Sequence, residues 1–179
     1  NPGSFMGYNN LGTALGDLLQ IEDARQAYIT AHDLNPTYLP TIINLAQLEI
    51  KLDDHPRGIQ LYEEALKLKN ITKSYSELIK YYLSHSYLLL GELEKGWDYY
   101  DFGFCALLPK GAWRSLRQFK QPRWQGQPNK NIRLLIWREQ GLGDEIEFST
   151  CLFDLHQTDL NVILECDPRL VGIFQRIYP

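Results

Sequence analysis

The sequence predicts a mainly α fold in which a solenoid of helical hairpins is followed by a short βαβ fragment. Three observations support this prediction. The chain has 179 residues and is 44% hydrophobic, which is enough apolar material to bury a core. Side-chain sizes recur with a period of 34 residues over the first part of the chain. Two short runs of branched apolar residues near the C-terminus are typical of buried strands.

The period begins at Tyr8, and its first copy closes at Asn35-Pro36. A second copy follows directly, and a third begins after four additional residues. Small residues let two antiparallel helices cross closely and large residues fill the space between them, so each period predicts one helical hairpin. The equivalent small and aromatic positions are Gly12/Ala46/Ser84, Ala24/Gly58/Gly96 and Tyr28/Tyr62/Tyr100.

This spacing, aromatic-x2-Leu-Gly followed by Ala-x3-aromatic-x2-Ala and then Pro, resembles the tetratricopeptide repeat (TPR) family. The resemblance implies a TPR array over residues 1–108, with the tail of one repeat, two full repeats and one degenerate repeat. Asn1-Pro2 lies one period before Asn35-Pro36. We therefore expect the chain to be a fragment of a larger bacterial-type protein that begins inside an earlier repeat.

The first helix of each hairpin lines the concave surface of a solenoid, and this surface is the usual binding groove. Asn10 and Asn44 occupy equivalent positions on these helices. An amide offers a donor and an acceptor, so the TPR resemblance implies that both contact the backbone of a bound peptide or protein. The alternative is that they are solvated surface amides. The other predicted groove contacts are Thr13, Gln47, Lys51 and His85.

A basic aromatic linker is predicted over residues 109–131. The net charge is -4, yet the stretch from Phe102 to Arg138 has no Asp or Glu and contains eight Lys and Arg residues. Its prolines and glycines favour a linker that wraps over the body with its aromatic residues as anchors. An anion site is the alternative, and nucleic-acid binding is the least favoured interpretation.

Residues 132–179 predict one βαβ unit, whose strands pair in parallel with a right-handed crossover. Gly141 and Gly143 follow the first strand and precede a helix, so they form a candidate phosphate loop. The predicted elements are a strand at 132–137, a helix at about 145–155, a strand at 161–166 and a helix at 168–176.

The motif Leu142-Gly143-Asp144, together with 122–126 and 134–141, resembles bacterial TPR proteins whose repeats lead into a heptosyltransferase-like glycosyltransferase domain. Such domains have two Rossmann-like lobes of the GT-B type. The resemblance implies a nucleotide-sugar donor in the larger protein and Asp144 as the general base. The alternative is that Asp144 caps the following helix. Because 48 residues cannot form both lobes, we expect this chain alone to bind rather than catalyse, with no cofactor.

Other features of the sequence bear on localisation, disulfides, metal sites and oligomeric state. No apolar run approaches the ~18 residues needed to cross a bilayer, and no signal peptide is recognisable, so a cytoplasmic protein is expected. Three separated cysteines do not indicate a disulfide framework, and no metal site is predicted. A two-stranded sheet cannot bury both faces, so the repeats or a homo-oligomer would have to cover it.

Overall fold

The computed structural model describes residues 3–104, 117–126, 131–139, 141–158 and 160–178. The chain divides into two compact units, Asn1–Trp113 and Arg114–Pro179. The described residues do not include the predicted boundary at 108/109 or most of the predicted linker. They also do not include Cys105.

The described part of the first unit contains three antiparallel helical hairpins. A short 3-10 turn, Asp101–Phe104, follows the third hairpin. The helices are α1 Phe5–Asp17, α2 Ile21–Leu34, α3 Leu39–Lys51, α4 His55–Leu66, α5 Lys73–Leu89 and α6 Leu93–Tyr100. The core is formed by one cluster of side chains that runs from Ala24 to Tyr87 through all three hairpins.

The small residues of the repeat lie where the two helices of each hairpin cross. A Cβ atom on Gly12 would lie 2.7 Å from the ring of Tyr28, and one on Gly58 would lie 2.5 Å from Cγ1 of Ile50. A Cβ on Gly96 would lie 2.7 Å from the side chain of Leu88. The crossings therefore have no room for a side chain at these positions, as the spacing predicts.

The three turns inside the hairpins share one backbone geometry. Leu19, Asp53 and Gly91 occupy equivalent positions and have φ angles of 60°, 66° and 82°. In each turn the next residue donates its backbone N–H to a carbonyl five residues earlier, at 2.9 Å. This is the six-to-one bond of a helix C-terminal motif. The donor and acceptor pairs are Gln20 and Leu15, Asp54 and Glu49, and Glu92 and Tyr87.

The described part of the second unit contains a two-stranded parallel sheet. Strands β1, Arg133–Ile136, and β2, Asn161–Leu164, pair in register from Arg133 opposite Asn161 to Ile136 opposite Leu164. The helices are α7 Leu142–Phe148, α8 Cys151–His156 and α9 Val171–Ile177. On the sheet, Leu135 and Ile163 are exposed. The predicted fold class, mainly α with a small parallel sheet, is confirmed.

Two predicted helices differ from those observed. The helix expected at about 145–155 begins at Leu142 and is interrupted after Phe148. At the interruption, the hydroxyl groups of Ser149 and Thr150 donate to carbonyls three residues earlier, and these bonds compete with helical pairing. The last helix begins at Val171 rather than at residue 168, and 168–170 form a turn.

Candidate functional site

The first helices of the three hairpins present equivalent side chains in rows, which we call the groove rows. One row contains Asn10, Asn44 and Tyr82, and the next contains Thr13, Gln47 and His85. A third row contains Asp17, Lys51 and Leu89. Asn10, Thr13, Lys51 and His85 are exposed, whereas Asn44 and Gln47 are half-buried.

Asn9 joins the first two groove rows to each other. Its side-chain oxygen accepts hydrogen bonds from Thr41 Oγ1 and from Nδ2 of Asn44, both at 3.1 Å. Its own Nδ2 donates to Oδ1 of Asn10 at 3.3 Å. Asn9 is buried, and the hydroxyl of Thr13 donates to its backbone carbonyl. The structure thus brings Asn10, Asn44 and Thr13 together around one buried amide.

The sequence places Asn9 among the residues that line the groove, but not among the predicted contacts. The signal that could have identified its role is its register. Asn9 is equivalent to Ile43 and Tyr81, and all three are buried. A buried amide needs hydrogen-bond partners, so an Asn at a core position predicts a polar cluster around it.

Behind the second groove row lies a row of tyrosines from the second helices. The hydroxyls of Thr13 and Tyr28 lie 3.1 Å apart in the first hairpin. In the second hairpin, Tyr62 is fully buried and its hydroxyl has no hydrogen-bond partner among the described residues. Burial raises the pKa of Tyr62 well above its usual value. The Tyr62 ring stacks on Tyr82, with centroids 6.0 Å apart.

In the third hairpin, the surface of the first two groove rows consists of aromatic side chains around His85. His85 makes an edge contact with Tyr81, with centroids 4.8 Å apart, and another with Tyr100 at 5.8 Å. Nδ1 of His85 lies 3.0 Å from the backbone carbonyl of Tyr81. In the first two groove rows, the first two hairpins therefore present amides and one hydroxyl, whereas the third hairpin presents aromatic rings.

Two polar clusters connect neighbouring helices away from the groove rows. Nε of Arg25 on α2 donates to both carboxylate oxygens of the buried Glu49 on α3, at 2.9 and 3.1 Å. The hydroxyl of Tyr87 donates to Glu63 at 2.7 Å, and Lys95 contacts both groups. The Tyr87 hydrogen bond, aided by Lys95, lowers the pKa of Glu63, although burial opposes the shift.

The loop after β1 holds the predicted phosphate-loop glycines and the predicted base. Oδ2 of Asp144 accepts the backbone N–H of Gly141 at 3.0 Å. Gly141 has φ -80° and ψ 172°, and a Cβ on Gly143 would meet nothing within 4 Å. Neither glycine has a positive φ angle. The contact that the structure shows for Asp144 is a helix cap.

Charged side chains form hydrogen bonds and ion pairs between the segments that follow β1 and β2. The carboxylate of Asp167 accepts bonds from Arg138 and from Arg169, and these bonds, chiefly those of Arg169, lower the pKa of Asp167 strongly. Glu145 accepts the backbone N–H of Asp167 at 2.7 Å. Acidic and basic groups alternate in this cluster, so it does not form a purely basic surface for an anion.

Two described residues of the predicted linker, Arg117 and Phe119, make contacts within the second unit. Arg117 pairs with Glu165 at 2.6 Å and lies over the rings of Phe119 and Trp137. Phe119 and Trp137 also contact each other. That aromatic residues anchor a linker over the body stays a prediction.

The described residues contain no group of three or more His, Cys, Asp or Glu side chains that could hold a metal ion. In the same part of the chain, no helix is long and apolar enough to cross a membrane.

The repeated hairpins and their turns define the first unit as a tetratricopeptide-like helical solenoid. The same fold is found in two crystal structures of MamA, which are 20% and 19% identical to this chain, each with a TM-score of 0.51. They cover 57% and 58% of this chain, which covers 57% and 55% of theirs.

A sequence relative is Protein FlbA of Caulobacter vibrioides. It is 26% identical over 184 residues, and the match covers 100% of this chain and 30% of FlbA. The chain therefore spans about a third of the length of that relative. No family model matches the chain. These comparisons support the TPR-like fold and do not support a glycosyltransferase domain.

Proposed function

We propose that the first unit is a protein-interaction module that binds an extended peptide along the groove rows of α1, α3 and α5. The observation that carries this proposal is the cluster around Asn9. The hydrogen bonds to Asn9 already fix the side chains of Asn10 and Asn44 in the free protein. These two amides therefore lose less side-chain entropy when a peptide binds than two freely rotating amides would.

The cluster also determines which atoms the two amides present. Asn10 uses its oxygen to accept from Asn9, so its NH2 group is available as a donor. Asn44 uses its nitrogen to donate to Asn9, so its carbonyl oxygen is available as an acceptor. A peptide backbone offers alternating acceptors and donors, and this pair of amides complements it regardless of the peptide's sequence.

The remaining groove residues would then act on peptide side chains. Thr13 and Gln47 are polar, and Lys51 adds a positive charge at the turn end of the groove. His85, which lies among the rings of Tyr81 and Tyr100, offers a surface for a planar side chain. In this proposal the amides provide affinity and the third hairpin provides selectivity.

A phage-displayed library of random peptides tests the proposal. Peptides selected on the wild-type chain should bind the double variant Asn10→Ala/Asn44→Ala at least ~10-fold more weakly, since two backbone hydrogen bonds are lost. The matched control is Gln26→Ala, an exposed amide on α2, which should leave affinity unchanged. Equal affinity of the double variant and the wild type would contradict the proposal.

A second proposal concerns Asp144 as the general base of a nucleotide-sugar-dependent glycosyltransferase. The observation that favours it is position, since Asp144 follows the carboxyl end of β1, where α/β folds bind ligands. In any longer protein that contains this chain, Asp144→Asn should lower turnover of a nucleotide sugar by at least ~100-fold. A loss of stability with unchanged turnover would assign Asp144 to helix capping alone.

A further inference from the structure

The turns inside the three hairpins carry exposed leucines along one edge of the first unit, which we call the turn edge. It consists of three equivalent segments, 17–23, 51–57 and 89–95. Ten large apolar side chains are exposed in the described part of the first unit, and six of them lie on the turn edge. These six side chains are 42–81% exposed, and they are Leu18, Leu19, Leu52, Leu89, Leu90 and Leu93.

One leucine occupies the same position in each turn. Leu18, Leu52 and Leu90 have φ/ψ angles of -83°/4°, -85°/10° and -81°/0°, so their side chains leave the backbone in the same direction. They are 70%, 42% and 53% exposed. The exposure is found in the middle hairpin as well as in the outer two, so it belongs to the repeated turn and not to an end of the array.

The turn edge is also acidic. Its three segments contain seven carboxylates and three basic side chains. Of the basic side chains, Lys95 already pairs with Glu63 at 3.3 Å, and Arg57 is half-buried and donates to Gln60. The exposed leucines therefore lie in a negative potential, which favours a partner that is basic as well as apolar and disfavours an anionic membrane. The seven carboxylates are all exposed, and they belong to Asp17, Glu22, Asp23, Asp53, Asp54, Glu92 and Glu94.

The spacing of the turns indicates the conformation of such a partner. Packed helices lie about 8–10 Å apart, so equivalent leucines of neighbouring hairpins are separated by about 10 Å. Seven residues of an α-helix rise about 10.5 Å and return to nearly the same face. Three residues of an extended strand cover about 10 Å but end on the opposite face. The row of leucines therefore matches a helix and not an extended chain.

We propose that the turn edge binds an amphipathic α-helix of a partner protein, with an apolar residue at every seventh position and Lys or Arg beside each one. Leu18, Leu52 and Leu90 contact the apolar residues, and the carboxylates pair with the basic ones. A helix of about 18 residues, about 27 Å long, spans the three turns. This surface is separate from the peptide site proposed above, because Asn10 and Asn44 lie about 12 Å along their helices from Leu18 and Leu52.

Fluorescence anisotropy with a synthetic peptide tests the proposal. The probe is a helix-forming peptide of about 18 residues with Leu at every seventh position and Lys at the flanking positions of the same face. It should bind the wild type with a dissociation constant of about 10–100 µM, because three turns bury a small area. A peptide with Glu in place of Lys, and one with a central Pro that breaks the helix, should each bind at least ~10-fold more weakly. No binding of the lysine peptide at ~1 mM, or equal binding of the proline peptide, overturns the proposal.

Substitutions at matched leucines test the location. Leu52→Gln, in the middle turn, should raise the dissociation constant of the lysine peptide at least ~5-fold, and Leu90→Gln should do the same, since each removes an apolar contact. The matched control is Leu34→Gln at the far end of α2, where the replaced side chain is 45% exposed, and it should leave binding unchanged. Circular dichroism checks that the three variants are folded. Unchanged affinity in Leu52→Gln and Leu90→Gln, or an equal loss in Leu34→Gln, overturns the proposal.

Two further measurements separate the turn edge from the groove rows and from a lipid surface. The double variant Asn10→Ala/Asn44→Ala should bind the lysine peptide as tightly as the wild type, and a loss of binding would place that peptide in the groove rows instead. The wild type should not float with vesicles of phosphatidylcholine and phosphatidylglycerol, because the carboxylates repel an anionic surface. Flotation of the wild type that is lost in Leu52→Gln would assign the turn edge to lipid and overturn the proposal.

Discussion

Leu19 and Asp53 adopt the left-handed conformation at a turn where the third hairpin uses Gly91. A side chain with a Cβ costs roughly 1–2 kcal/mol in this region, whereas glycine adopts it freely. The repeat geometry therefore imposes the same backbone on three different residues, and it strains the two that carry a Cβ.

We expect Leu19→Gly to stabilise the protein by about 1 kcal/mol and Gly91→Ala to destabilise it by a similar amount. Leu19 is 81% exposed, so its removal costs little packing. Urea unfolding monitored by circular dichroism measures both changes. The control is Leu18→Gly, where φ is -83° and no strain is relieved. A Leu19→Gly variant no more stable than the wild type would refute the strain argument.

The pair of Tyr87 and Glu63 makes stability depend on pH. The Tyr87 hydrogen bond lowers the pKa of Glu63 in the folded state. The resulting stabilisation is complete above the unfolded pKa of about 4.3 and is lost as the pH falls through the lower folded value. Tyr87→Phe should therefore lose less stability than the wild type when the pH is lowered from 7 to 3.

The control for this prediction is Tyr28→Phe, which removes a hydroxyl that contacts Thr13 rather than a carboxylate. Its effect on the free energy of unfolding should be the same at each pH. Urea unfolding at several pH values provides the measurement. Parallel pH profiles for Tyr87→Phe and the wild type would show that the hydrogen bond does not set the pKa of Glu63.

At the scale of helices and strands, the close crossing of α3 and α4 depends on Gly58, which has no side chain. Gly58→Ala should destabilise by about 1–3 kcal/mol, because the new Cβ would lie 2.5 Å from Ile50 and 3.0 Å from the carbonyl of Ala46. Gly16→Ala is the matched control, since its Cβ meets nothing within 4 Å. In a helix that substitution should stabilise by up to ~1 kcal/mol. Thermal unfolding of both variants distinguishes a packing effect from helix propensity.

The contact between α2 and α3 includes the buried carboxylate of Glu49, which pairs with Arg25. Because the Glu49 side chain is 3% exposed, Arg25→Met should destabilise by about 2–3 kcal/mol, an estimate reduced because Arg25 itself is 35% exposed. The double variant Arg25→Met/Glu49→Leu should recover most of this loss. Glu22→Gln, at a side chain that is 81% exposed, should change stability by less than ~0.5 kcal/mol. Denaturant unfolding measures all three, and additive losses in the double variant would contradict the pairing.

At the scale of the whole molecule, the two units differ in how their apolar residues are used. The first unit has a continuous core from Ala24 to Tyr87. In the described part of the second unit, the short strands leave Leu135 and Ile163 exposed, and the buried apolar side chains are those of Leu152, Leu170 and Phe174. The second unit therefore has the smaller hydrophobic contribution to its stability. We expect it to exchange amide hydrogens faster than α3 and α5 in a hydrogen-exchange measurement, and slower exchange in β1 and β2 would contradict this expectation.

The sequence by itself determined the hairpins, their register and the two strands, because these depend on local spacing: small residues that recur after 34 and then after 38 positions, and short runs of branched residues. It also identified Asn10 and Asn44 as neighbours in a row. The peptide contacts that were predicted for them stay a prediction.

Only the tertiary structure decided which side chains of each element are covered. Asn9 lies at the centre of the amide cluster because α3 places Thr41 and Asn44 where both donate hydrogen bonds to its side-chain oxygen. Leu11 is exposed although Leu45 and Leu83, with the same local pattern, are buried. The physical reason is that spacing fixes the face on which a side chain lies, whereas burial and hydrogen bonding depend on which other element packs against that face.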